Sequence, residues 1–370
     1  MRSRQYYSRS ELSGIVERPE NSTRLTVRAT RMKVVGRLRF LRVPLLVRPG
    51  TPKGAAVHYT SQMTSRRSFL SSLSSLSSLS SLSSLASLAS LASLPAGLLL
   101  ATESALPNRP KVPGTLRLRT RRRTKAGPVE STVEWPVART AIVICDMWDA
   151  HTCALSAQRV ANLAPRMNNV INAARSNGVM IIHAPSDTMK FYEGTPWRQR
   201  MQAAPKAASP FPIENRCPRV PAEERNFPID DSAGGCDDPV RKKFVGPPYP
   251  WTRENSAIDI IGYDGVSDSG QEIYNFCKLE GIDKIVLMGV HTNICILNRG
   301  FGARQMTKLG FSVVLARDLT DAMYDPRTRP FVSHARGTEL VIEHIETMWA
   351  PSILSTDLTQ VVPGSADPRA

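Results

Sequence analysis

From about Trp135 onward the chain repeats one unit: an apolar run of four to six residues followed by an amphipathic stretch of helical length. Runs that short without polar alternation are strands buried on both faces, and the stretches between them must cover those faces. This is the pattern of βαβ units around a mostly parallel sheet. TAIVICD (140–146) is the first such strand and ends in Asp146. Residues 156–177 carry apolar positions at helical spacing and stop at Asn177-Gly178. VMIIHA (179–184) is the second strand. Residues 186–250 are rich in Pro, Gly and charge without a period, and read as a long loop excursion across one face. AIDII (257–261) is a short third strand, 267–280 a helix, KIVLMGV (284–290) a strand, 294–309 a helix and SVVLA (312–316) a strand. A last helix spans 330–348, with a short edge strand near Ile353. The expected fold class is α/β: a three-layer, doubly wound, mostly parallel sheet of five or six strands.

In open α/β sheets, loops converge at the carboxyl ends of the strands and form the ligand site there. Asp146 closes the first strand. The turn GVHTNIC (289–295) follows a later one and delivers Cys295 to a helix start, while Arg253 precedes the short third strand. A thiol at a helix N-terminus is expected to favour its thiolate. Amides in the same turn lack helical partners and can point at a developing oxyanion. A carboxylate on a neighbouring strand can take the thiol proton and later activate water. Those are the needs of acyl transfer, and no GxSxG elbow competes with them. Trp148, His151 and Trp251 are candidate substrate-binding residues, with core packing the competing reading for the two tryptophans. His183 reads as a structural residue at a strand end.

Together AIVICDMWDAH (141–151), GVHTNICIL (289–297) and GFSVVLARDLTDAM (310–323) resemble the isochorismatase-like cysteine hydrolases, which include nicotinamidases and N-carbamoyl amidohydrolases. The resemblance covers roughly residues 138–350. It implies Cys295 as nucleophile, Asp146 as base, a cis peptide at Val290–His291, and an oxyanion hole from the amides of His291 and Cys295. It also implies self-association into a homo-oligomer. Two departures stand out. The family places a Lys before the third strand; here PWTRENSAI offers Arg253, which keeps the charge but cannot give up a proton, and Lys242 or Lys243 are the other cations nearby. Nicotinamidases carry an Asp-x-His metal motif after the second strand, whereas here Asp187 is followed by Thr188 and Met189. Neither a metal nor another cofactor is expected.

The net charge of +16 belongs to the leader. Residues 1–140 hold 24 Lys and Arg against 6 Asp and Glu, and residues 141–370 hold 24 against 26. The folded part is nearly neutral, so no nucleic-acid partner is expected. Residues 1–62 read as disordered or as sequence upstream of the true start. Residues 63–105, with Arg66-Arg67, a Ser/Leu/Ala triplet repeat and small residues after it, resemble a twin-arginine export signal. Export, to a periplasm for example, is therefore expected, with a cytoplasmic location if the signal is unused. Ser at every third position weakens the repeat as a membrane span, so no stable membrane insertion is expected. Residues 106–135 read as a Pro- and Arg-rich solvated linker, 136–357 as the hydrolase domain and 358–370 as a flexible tail.

Six cysteines without CxxC spacing argue against a structural zinc site and against a disulfide scaffold. Cys217 and Cys236 are a candidate disulfide across the excursion. Asp230, Asp231, Asp237 and Asp238 read as a solvated acidic loop rather than a calcium site. The expected function is cleavage of an amide or carbamoyl-type C–N bond of a small substrate through a Cys295 thioester. The alternative is a catalytically silent binding protein that keeps the fold.

Overall fold

Every apolar run read above except AIDII is a strand in the computed structural model, which describes residues 109–224, 226–240 and 246–363. In chain order the elements are β1 (Gly114–Thr124), β2 (Gly127–Pro136), β3 (Thr140–Cys145), α1 (Ala154–Ser176), β4 (Met180–Ala184), α2 (Met189–Tyr192), α3 (Pro196–Gln202), β5 (Gly265–Val266) and α4 (Gly270–Glu280). There follow β6 (Lys284–Val290), α5 (Cys295–Asn298), α6 (Ala303–Lys308), β7 (Ser312–Asp321), α7 (His334–Met348), β8 (Ser352–Ile353) and β9 (Val362–Pro363). The strands form one sheet in the order β2-β1-β8-β7-β6-β3-β4-β5, with β9 pairing β1. From β8 to β5 all pairings are parallel.

Burial on both faces follows from the uninterrupted apolar strands. Val143, Ile182, Leu287 and Leu315 point to one face, against Ile273, Met306 and Ile342 of α4, α6 and α7. Their neighbours Ile142, Ile144, Ile181 and Met288 point to the other, against Val160, Met167 and Ile171 of α1. The helices stop where the local chemistry says they must. Ser269 caps α4 by accepting from Glu272 N, and Gly281 (φ 69) closes it in the left-handed region that glycine adopts freely. The chain runs from β3 outward to β4 and β5, then returns to β6 on the opposite side of β3. That reversal opens a crevice at the carboxyl ends of β3 and β6, where a doubly wound sheet places its ligand.

Several expectations need correction. The linker expected over 106–135 is, from Gly114, a β-hairpin docked antiparallel on β8. Its period of two is written in LRLRT: Leu116, Leu118 and Thr120 are buried while Arg117 and Arg119 are exposed. Burying each leucine contributes roughly 1.5–3 kcal/mol. Arg121 and Arg123 are not solvated; they converge on Glu346, which is fully buried in α7, at 2.7 and 3.0 Å. The hairpin also makes β8 an interior strand rather than an edge.

AIDII is not a strand. Ile258 packs under α1 from a turn, and the third strand pairs at Gly265–Val266 with Ile182 and His183. The helix expected over 294–309 breaks at 299–302, because Gly300 lies against the excursion: a Cβ there would stand 2.4 Å from Glu214 O. The tail is anchored as far as Pro363, with Leu358 buried and Val362 paired to Thr115. The acidic loop is partly interior. Asp237 pairs with Arg159 at 2.9 Å, and Asp238 accepts from Ala154 N and Leu155 N at 3.0 Å, capping α1. Cys236 is bridged to Cys153, not to Cys217, which is free. The expectations for 1–62, 63–105 and the pair Lys242 and Lys243 fall outside the described residues. Among the described residues no helix is long and apolar enough to cross a membrane.

Candidate active site

Asp146 is the residue at which β3 leaves the sheet, in the left-handed region (φ 49) and fully buried. Its carboxylate is held from two sides. Oδ1 accepts from Ser186 N at 2.7 Å, and Oδ2 accepts from Arg299 Nε at 3.1 Å. Arg299 also reaches Asp187 at 3.4 Å. Burial alone would lower the Arg299 pKa, but the charges of Asp146, Cys295, Cys145 and Asp187 outweigh it and raise the guanidinium above its ordinary range. Arg299 is therefore a permanent cation facing both the strand-end carboxylate and the Cys295 sulfur.

Cys295 is 4% exposed, yet it lines a cavity of about 150 Å³ together with Arg299. Trp148, His151, Trp251 and His291 line the same cavity, as do Asp187, Arg216, Tyr249 and Met323. The preceding Val290–His291 peptide is cis, as the resemblance implied. The turn is pinned on its far side: Thr292 N donates to Asp321 O at 2.9 Å, and Asn293 Nδ2 to Met323 O at 3.1 Å. The dipole argument for Cys295 loses its basis, because α5 is a single turn of four residues; positive potential at the sulfur comes from Arg299 instead.

Tyr249, Trp251 and Trp148 form a continuous stack, with centroids 4.3 Å apart at each step and interplanar angles of 11° and 15°. The His151 ring lies 5.5 Å from Trp251 at 14°. Burial pushes His151 down to about 4 and His291 down to about 3, so both are neutral near pH 7. Nδ1 of His151 accepts from Cys153 N at 3.0 Å, which leaves the ring proton on Nε2. His291 Nε2 shares a 2.6 Å hydrogen bond with Ser156 Oγ of α1.

Behind this wall, His183 Nδ1 sits 2.6 Å from Glu254 and Nε2 3.3 Å from Asp264, all three buried. Burial would lower the His183 pKa, but two carboxylates on one imidazole raise it to about 9. His183 lies in β4, is fully buried and is not among the residues that line the cavity.

The structure thus gathers Asp146, Cys295, His291, Trp148, His151 and Trp251 in one place, and leaves Arg253 out. The Arg253 side chain is 46% exposed, 4.0 Å from Asp149 and stacked on Phe191. The cation that reaches Asp146 is Arg299, the extended residue at which α5 ends, directly after Asn298. Arg216 and Tyr249 were missed because the excursion has no period that would aim a side chain. The group of potential metal ligands among the described residues is Cys153, Cys236 and Asp238. With its sulfurs joined to each other, that group has no thiolate to offer an ion.

No protein-family model matches the chain, and no curated protein does. Solved structures do. A cysteine hydrolase from Pseudomonas syringae pv. phaseolicola 1448A is 17% identical, with TM-score 0.39, over 61% of this chain and 94% of that one. An isochorismatase family protein from Burkholderia thailandensis is 14% identical, with TM-score 0.35, over 60% and 93%. An isochorismatase-like hydrolase from Alkaliphilus metalliredigens is 11% identical, with TM-score 0.34, over 60% and 98%. These three solved structures, to which the chain is similar, are thus a cysteine hydrolase, an isochorismatase family protein and an isochorismatase-like hydrolase.

Proposed function

We propose that this chain is an isochorismatase-like cysteine hydrolase that cleaves a C–N bond of a small amide or carbamoyl compound through a thioester on Cys295. The observation that carries the reading is the join between Asp146 and Arg299 at 3.1 Å, with Arg299 and Cys295 lining one cavity. Asp146 accepts the thiol proton, and Arg299 stabilises the negative charge as it passes from the carboxylate to the sulfur. The sulfur attacks the substrate carbonyl carbon, an S–C bond forms, and the oxyanion is met by the amides of His291 and Cys295. The C–N bond then breaks as Asp146 returns the proton to the leaving nitrogen. Water enters, loses a proton to Asp146 and attacks the thioester carbonyl, releasing the acid and the Cys295 thiolate, which takes the proton back from Asp146. His151, neutral and carrying its proton on Nε2, offers a hydrogen bond without titrating.

The silent-binder alternative was motivated by the missing lysine. Arg299 supplies a cation in contact with the base, and that motive lapses. Export through Arg66-Arg67 belongs to the same proposal, supported by the Cys153–Cys236 disulfide, which persists in an oxidising compartment. Self-association belongs to it as well. Turnover of an amide library by the wild type, abolished in Cys295→Ala with folding intact, is the expected result. Undiminished turnover in Cys295→Ala would end the mechanism.

A further inference from the structure

The excursion brings a second guanidinium to the cavity. Cys217 N donates to Asn298 O at 2.6 Å and Gly300 N to Asn215 O at 2.9 Å, so residues 215–217 run antiparallel to 298–300 with Arg216 directly opposite Arg299. Opposed residues in an antiparallel bridge carry their side chains to the same side. Both arginines accordingly line the cavity. Their circumstances differ. Arg299 is matched by Asp146 and Asp187, whereas Arg216 has no ion pair among the described residues and is exposed at the rim. Beside Arg299, Asp187 N donates to Asp268 at 2.9 Å.

Two further features bear on what such a cation would receive. The Tyr249–Trp251–Trp148 stack, its rings lying face to face with the His151 ring beside Trp251, lines the cavity. A cluster of aromatic rings favours planar, polarisable groups through stacking or edge-to-face contact, and a guanidinium fork matches a carboxylate with two parallel hydrogen bonds. Gly300 is what permits the arrangement, since a side chain there would push away the strand that carries Arg216.

Resting on the hydrolase reading above, we propose that the substrate is a planar amide bearing a carboxylate, with its flat body against the tryptophan–tyrosine cluster and its carboxylate on Arg216. The amide carbonyl then lies at Cys295, away from Arg216.

The test uses full-length Cys295→Ala protein, so that binding is read without turnover, by quenching of tryptophan fluorescence. The probes are 4-carbamoylbenzoate, its methyl ester, and 4-carbamoylcyclohexanecarboxylate. The acid is expected to bind about tenfold more tightly than the ester. Arg216→Gln should remove that preference while leaving ester binding unchanged, and the non-planar acid should bind several-fold more weakly than the planar one. Equal binding of acid and ester, or a preference that survives Arg216→Gln, would overturn the proposal, as would no binding of any probe. No acid preference in Cys295→Ala, while the wild type hydrolyses amides, would reject the substrate class alone. Failure of the wild type to hydrolyse any amide would reject the hydrolase reading, whatever Arg216 binds.

Discussion

Replacing Arg299 by Met tests the joint between nucleophile and base without reference to any substrate. Asp146 is fully buried and the Arg299 side chain is 11% exposed, so the variant leaves one charge in the interior without its partner. Breaking a buried pair in this way costs about 3–5 kcal/mol, because the remaining charge keeps its desolvation penalty and loses the compensating attraction. At 2–4 °C per kcal/mol for a domain of this size, the midpoint of thermal unfolding should fall by roughly 6–20 °C. Asp146→Asn should cost a comparable amount by stranding the guanidinium, which Asp187 compensates only in part. The double variant should cost less than the sum of the two, since neither charge is then alone, giving a coupling energy of roughly 1–3 kcal/mol in a double-mutant cycle. Calorimetry or circular dichroism on the four proteins suffices. Arg253→Ala, at an exposed position, should unfold with the wild type. Single variants that each unfold with the wild type, or costs that simply add, would refute the buried-pair account of this site.

Other outcomes follow from the same structure. His183 has a raised pKa of about 9 in the fold against about 6.5 for an unperturbed imidazole, so its stabilising charge is fully present below about pH 6.5 and is lost as pH rises through 9. Thermal stability should decline between pH 7 and 10, and His183→Gln should flatten that decline; an unchanged profile in the variant would count against the buried charge. Reducing the Cys153–Cys236 bridge opens a loop of 83 residues, worth about 4.5 kcal/mol in the chain-entropy model. Dithiothreitol should therefore lower the melting temperature of the wild type but not of a Cys153→Ser/Cys236→Ser protein. Burial pushes the Cys277 thiol up to about 12 and the Cys145 thiol well above its usual range, so iodoacetamide at pH 8 should spare both while modifying the half-buried Cys217 and, from the cavity, Cys295. Protection of Cys295 alongside the other two would mean the cavity is closed to reagents.

What the sequence disclosed was whatever periodicity encodes. KIVLMGV is β6 to the residue, and α1 ends at Asn177-Gly178, because an apolar run and a glycine with positive φ leave little choice. Asp146 and Cys295 were legible because strand ends are legible. The hairpin was hidden by its arginines: Arg121 and Arg123 look solvated until the glutamates of α7 are placed beside them, and only tertiary structure does that. Arg253 drew attention by its place before a short apolar run, whereas the cation that reaches Asp146 is set by the break after α5, where Gly300 meets the excursion. The disulfide partner of Cys236 lies far from it in the chain, at the start of α1, and no local pattern points that far.

The central claim is that the Cys295 sulfur carries the acyl group between the two halves of the reaction. Intact-mass and peptide-mass spectrometry of the protein quenched in acid during turnover of an amide measures this directly. The account predicts an added acyl mass on the peptide containing Cys295, more abundant in Asp146→Asn if that variant still acylates, and absent in Cys295→Ser. Turnover with no such adduct at any quench time and undiminished in Cys295→Ser, or an adduct on another residue, would contradict it.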